Sequence, residues 1–167
     1  MNYYKKIAKI ILFCFPVLFA AGCSSDGECV TTSAVSLGAD FYYMKFDFEQ
    51  DQFVSFPLLT DTFTIYGLGN DSLLIDNQNI YNVRLPLKPF DTQTTYIFQR
   101  ENMLPDTINF VYDNENNFIS LECGCLVFHR ITDIEYTFNS IDSVVVMNNF
   151  AADEQAKNIR IYFKKEQ

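Results

Sequence analysis

"DTINFVYD", residues 106–113, places Ile108, Phe110 and Tyr112 on one side of an extended chain and Thr107 and Asn109 on the other. Successive side chains of a strand point to opposite faces, so period-two alternation predicts one buried and one wet face. The pattern spreads outward from this stretch. "DTFTIYG" (61–67) sets Phe63 and Ile65 against Thr62 and Thr64, and "YNVRLPL" (81–87) sets Tyr81, Val83, Leu85 and Leu87 against Asn82 and Arg84. Tyr42, Met44, Phe46 and Phe48 alternate with Tyr43, Lys45 and Asp47, which predicts the even series as a buried face. Beyond the turn "DNENN" (113–117), three further series follow: Ile119, Leu121 and Cys123; Ile141, Ser143, Val145 and Met147; Ile159, Ile161 and Phe163. Asp, Asn, Gly and Pro clusters punctuate these runs. Nine or ten short strands predict an all-β, antiparallel β-sandwich, immunoglobulin-like in topology, with a small closed β-barrel as the alternative. Only "NFAADEQAKN" (149–158) has the composition for a turn or two of helix.

The N-terminus has a different character. Lys5, Lys6 and Lys9 precede an uncharged run, Ile10 to Ala21. That run is shorter than the roughly 20 apolar residues of a membrane-spanning helix. Positive start, apolar core and small residues at its end are the layout of a secretory signal peptide. Ala20, Ala21 and Gly22 stand directly before Cys23, and this resembles the bacterial lipobox, which implies cleavage before Cys23 and a lipid on its sulfur. The expected organisation is a signal peptide (1–22), a lipidated tether (23–29) and one all-β domain (30–167). Several acyl chains on Cys23 would be a stable anchor, since one chain alone holds only marginally. "SSDGE" (24–28) is similar to the acidic, serine-rich stretch that directs some lipoproteins to the outer face of the outer membrane. The expected location is the cell envelope, with the outer membrane favoured and its periplasmic or surface face left open.

The whole chain carries a formal charge of −9. Three of its 12 basic residues and none of its 21 acidic ones lie in 1–22, leaving nine against 21 and a net charge of −12 for the rest. Such a balance excludes nucleic acid and anionic lipid head groups as partners of the domain, since both attract basic surfaces.

Asp followed by Ser or Thr recurs at strand starts, where an Asp side chain can accept hydrogen bonds from backbone two residues on. Three of these places, "DSL" (71–73), "DTI" (106–108) and "DSV" (142–144), also look like the acceptor pattern for periplasmic O-glycosylation. The candidate sugar acceptors are therefore Ser72, Thr107 and Ser143. With Cys23 acylated, Cys29, Cys123 and Cys125 remain, and an exported protein meets oxidising conditions. Cys123 and Cys125 would stand about 6.6 Å apart at Cα on an extended strand, the upper limit for a disulfide. A bridge from Cys29 to Cys123 or to Cys125 is the better pairing. It would close a loop of about a hundred residues, for which chain entropy gives about 4–5 kcal/mol.

A metal site from Cys123, Cys125 and His129 fails on length. Cys125 and His129 would be about 13 Å apart along a strand, whereas zinc ligands converge within about 2–2.3 Å of the ion. His129 is expected as a half-buried strand residue, and neither metal nor cofactor is predicted. The sequence holds no GxSxG, glycine-rich phosphate loop or HExxH, and no catalytic residue stands out. The function expected is therefore non-enzymatic: a membrane-anchored envelope lipoprotein that binds or helps assemble another envelope protein. The alternative is a small-ligand or glycan binder. A filled sandwich with an exposed apolar patch would favour the first, and a closed barrel with an empty aromatic interior the second.

Cys23 and Cys29, "YGLGNDSLL" (66–74), "VRLPL" (83–87), "FISLECGC" (118–125), "NSIDSVVV" (139–146) and "IRIY" (159–162) together resemble one family. It is a domain of unknown function found in small uncharacterised lipoproteins of Bacteroidetes-type bacteria. The resemblance implies an anchored envelope protein with Cys29, Cys123 and Cys125 as matching cysteines. It implies no activity and no catalytic residue.

Overall fold

The computed structural model describes residues 35–69, 73–120 and 124–165. They form a β-sandwich with no helix among them. Eleven strands follow in order: β1 (Leu37–Asp47), β2 (Gln52–Pro57), β3 (Thr62–Gly67), β4 (Leu73–Asn79), β5 (Asn82–Leu85), β6 (Gln93–Arg100), β7 (Asp106–Ser120), β8 (Gly124–Tyr136), β9 (Ile141–Val146), β10 (Phe150–Ala151) and β11 (Ile159–Phe163). One sheet has the order β2-β1-β11-β9, with β5 also paired to β1. The other has the order β10-β8-β7-β6-β3-β4, and one of the two sheets curls into a half-barrel. All pairings are antiparallel except β1 with β11, where Ala39 lies opposite Ile159 and Phe41 opposite Ile161.

The alternating series meet between the sheets. Phe63, Ile65, Ile108, Phe110 and Tyr112 come from the second sheet and Val83, Leu85, Ile159, Ile161 and Phe163 from the first, all buried. Phe41 sits at the centre, its ring 4.9 Å from Phe63 and 5.3 Å from Phe163. Each such side chain contributes about 1.5–3 kcal/mol by leaving water. Arg100, buried at the end of β6, pairs with Asp61 and donates to the Lys164 carbonyl at 2.6 Å, tying the second sheet to the strand that closes the first.

Four expectations need correction. The stretch 113–117, expected as a turn, runs inside β7 with each residue paired to β8, from Asp113 with Arg130 to Asn117 with Leu126. In β1 the core face is the odd series, Leu37, Ala39 and Phe41, while Met44 and Phe48 are exposed. Both parities of this strand are apolar, so alternation alone could not choose; pairing of Ala39 and Phe41 with the inward Ile159 and Ile161 decides. Residues 149–158 hold no helix. The Asp153 side chain accepts from the Gln155 N–H, and buried Asn158 donates to the Asn148 and Phe150 carbonyls, so local side-chain bonds hold a turn that helix propensity does not. His129 is fully buried rather than half-buried.

Gly38 marks the tightest approach in the first sheet. A Cβ there would fall 2.1 Å from the Ala156 carbonyl oxygen and 2.2 Å from the Arg84 guanidinium. Arg84 donates to that same carbonyl, so the space above Gly38 is already taken.

Candidate interaction surface

The parity of β1 leaves an apolar series on the outside of its sheet. Directly paired residues share a face, so Phe46 lies beside Phe53, Met44 beside Ser55, and Tyr42 beside both Pro57 and Tyr162. Across β11, Arg160 lies beside Val145. The rings touch: Phe46 is 5.1 Å from Phe48 and 5.2 Å from Phe53, and Tyr42 is 5.9 Å from Tyr162, with the Arg160 guanidinium 5.0 Å above Tyr42. Phe48 is 87% exposed and Phe53 66%. The rings of Phe48 and Phe53 stand at 79° and 71° to Phe46, so they form a ridged surface and not a flat platform. A cleft of about 400 Å³ opens beside it, lined by Lys45, Phe46, Asp47, Phe48, Glu49 and Phe56. Asp47, Glu49 and Asp51 surround the turn between β1 and β2, giving the apolar tip an acidic collar. The Asp47 carboxylate accepts from the Glu49 and Gln50 N–H groups, and Asp51 takes a left-handed φ of 51°; both fix the turn that displays Phe48.

Two buried polar clusters lie elsewhere. Asp106, at the start of β7, accepts five hydrogen bonds: Oδ1 from Thr137 Oγ1 (2.7 Å) and the Asn139 N–H (2.7 Å), Oδ2 from the Ser140 N–H (2.6 Å), Ser140 Oγ (2.7 Å) and the Ile141 N–H (2.9 Å). Burial pushes its pKa up, but these bonds outweigh that and hold the carboxyl below its ordinary value. The group is a clamp on the turn between β8 and β9.

Midway along β7 the core turns polar. Tyr112 Oη lies 2.7 Å from Thr94 Oγ1, accepts from the Lys88 N–H (3.0 Å) and also lies 3.1 Å from the Lys88 carbonyl. Asn114 donates through Nδ2 to the Pro89 and Asp91 carbonyls, which turns its Oδ1 toward His129 Nδ1 at 2.7 Å. An amide oxygen only accepts, so His129 carries its proton on Nδ1. Its Nε2 is buried and has no hydrogen-bond partner among the described residues. Burial accordingly lowers the His129 pKa. These contacts hold the 86–91 loop onto the sheet.

A second cleft, of about 300 Å³, lies between Leu68, Leu73, Leu87, Pro89 and Tyr96. The Tyr96 hydroxyl at its wall already donates to the Pro86 carbonyl, and the Thr94 hydroxyl is held by Tyr112.

Of the residues singled out by sequence, Cys23, Cys29, Cys123 and Ser72 lie outside the described residues, and Cys125 is described only through its backbone pairing with Phe118. Among the described residues no group of three His, Cys, Asp or Glu side chains is placed to hold a metal. Thr107 and Ser143 are partly exposed within the paired strands β7 and β9. The β1–β2 hairpin was not singled out as a surface, although the even apolar series that signals it was visible.

A family model described as a family of unknown function (DUF6452) matches residues 62–163. The chain belongs to this family. The matched span of the family begins with β3 and ends with the last residue of β11, so β1 and β2 precede it. No curated protein and no solved structure matches the chain.

Proposed function

We propose that this protein is a non-enzymatic, lipid-anchored lipoprotein of the bacterial cell envelope, of the kind found in Bacteroidetes-type bacteria, that binds another envelope protein through the β1–β2 hairpin. The observation that carries the reading is the aromatic surface of exposed Phe48 and Phe53 around half-buried Phe46, on a sheet whose opposite face is already buried. A sheet that faces water on one side normally presents polar residues there, and an apolar outer face indicates a covering partner. The packed core around Phe41 supports a partner surface over an internal ligand cavity. The lipobox-like Ala20-Ala21-Gly22-Cys23 supports the anchor. The test is a photo-crosslinking residue at Phe48 in the native cell, followed by intact mass spectrometry of the purified protein. Acyl chains on Cys23 and one recurrent crosslinked envelope protein are expected. An unacylated chain, or crosslinks no more specific than those from an exposed polar position such as Gln155, would overturn the proposal.

A further inference from the structure

Five strands have a free side among the described residues: β2, β5 and β9 in one sheet, β4 and β10 in the other. Free strand edges invite pairing with other chains, and proteins blunt them by brevity, charge, bulges or proline. Four of the five are blunted. β10 has two residues, and β5 has four and runs straight into Pro86. β4 carries Asp76 and pairs in broken register with β3; β9 carries Asp142 and is irregular beside Tyr162. β2 is the exception over most of its length. Its residues 52–56 include neither charge nor proline and pair in unbroken register with β1; only its last residue, Pro57, withholds an N–H from the free side.

The direction of its free backbone groups follows from one bond. The Leu58 N–H donates to the Phe41 carbonyl at 3.0 Å, so Leu58 and Phe41 are a hydrogen-bonded pair. Antiparallel alternation then turns the backbone groups of Phe56, Val54 and Gln52 toward β1, and those of Phe53 and Ser55 away from it.

The geometry points to a second copy of this chain as the occupant of that edge, with β2 pairing antiparallel to β2 about a two-fold axis through Val54. This rests on the reading of the hairpin as a protein-binding element and specifies one partner for its edge. Phe53 of one copy then lies opposite Ser55 of the other, and both outward N–H groups of each strand meet a carbonyl. Moving the axis to Ser55 would set Phe53 opposite Pro57, which has no N–H to return. An axis perpendicular to the sheet keeps both outer faces on one side, so Met44, Phe46 and Phe53 of the two copies form one continuous apolar surface. The charges agree. The antiparallel arrangement sends the two acidic turns to opposite ends, and Glu49 of one copy comes level with the exposed, apolar Leu59 of the other. Identical interfaces related by a two-fold are the commonest way for a chain to cover such an edge.

The test is sedimentation equilibrium of the full chain over a wide concentration range, with amide hydrogen exchange at the same concentrations. The expected result is a mass that doubles with concentration, with the Phe53 and Ser55 amides slowing in step while the β4 amides do not change. Ser55→Pro removes one outward N–H and leaves the bonds to β1 intact; Phe53→Lys places like charges close together across the axis. Each is expected to abolish the doubling while keeping the wild-type circular dichroism, and either variant suffices if the other does not fold. A wild-type chain that is monomeric throughout overturns self-pairing, and so does a dimer that the folded variants leave intact. A monomer that still crosslinks one envelope protein through Phe48 removes self-pairing alone and keeps the wider interaction reading.

Discussion

Asp106 and His129 are both sealed from solvent in the second sheet, yet they are satisfied in opposite ways. Asp106 is charged, and five donors from one turn converge on it, so burial and ionisation coexist. His129 is neutral; one nitrogen is spoken for by Asn114, and the other faces no partner among the described residues. The contrast shows what a buried polar group does in each place. The carboxylate gathers most of the donors of a turn that Lys164 and Pro105 also hold from outside. The imidazole fills space at the polar end of the core and stays there only while uncharged.

The largest effect expected is from Asp106→Ala, which strands five donors around a vanished acceptor. Each buried donor left without its acceptor costs about 1–3 kcal/mol, so the summed loss is the largest expected in the molecule and chemical denaturation would read it as a large fall in midpoint. A loss under 1 kcal/mol would mean that the turn is held by something else. Tyr112→Phe comes next. It removes the hydroxyl shared by Thr94 and Lys88, but the Lys88 N–H keeps its 3.2 Å bond to Thr94 Oγ1, so the cost is about 0.5–1.5 kcal/mol, and the 86–91 loop should loosen as seen by faster amide exchange at Lys88.

The pH dependence separates the two groups. His129 has a native pKa below its ordinary value of 6.5, so as pH falls past 6.5 the unfolded chain takes up a proton that the native chain refuses. Stability therefore drops with falling pH by at most about 1.4 kcal/mol per pH unit until the native value is reached. His129→Gln should flatten that limb; an unchanged limb would place the titration elsewhere. Asp106 acts lower. Its contribution is complete above the ordinary carboxylate value of 3.8 and is lost as pH falls through its depressed native pKa. Smallest of all is Phe48→Ser, expected to change stability by no more than about 0.5 kcal/mol because the ring is exposed, while abolishing crosslinking from a photo-reactive residue placed at Phe53.

The strands around the core were legible in the sequence where one parity was apolar and the other polar, as in "DTINFVYD" and "IRIYF". β1 defeated the same reading because both of its parities are apolar, and the choice was made by a strand more than a hundred residues away. The doubled pattern is itself the trace of the outer face. The Asp-Thr pair at 106–107 looked like local turn chemistry, but Asp106 instead reaches a turn over thirty residues on, a partnership that spacing along the chain does not encode. His129 was visible as a strand residue; its burial depended on Tyr112 and Asn114 arriving from β7, and pairing of this kind belongs to the tertiary structure.

The parallel pairing of β1 with β11 has a consequence for the order of events during synthesis. The first described strand and the last are neighbours, joined across about 120 positions of chain at Ala39 and Ile159. Until Ile159–Phe163 has emerged, Phe41 lacks the Phe163 ring and the sheet has a gap at its centre. Contacts of such long range must wait for loop closure, which slows folding. A nascent chain of this design can complete its second sheet by Ala151, but its first sheet stays open until the final strand is delivered.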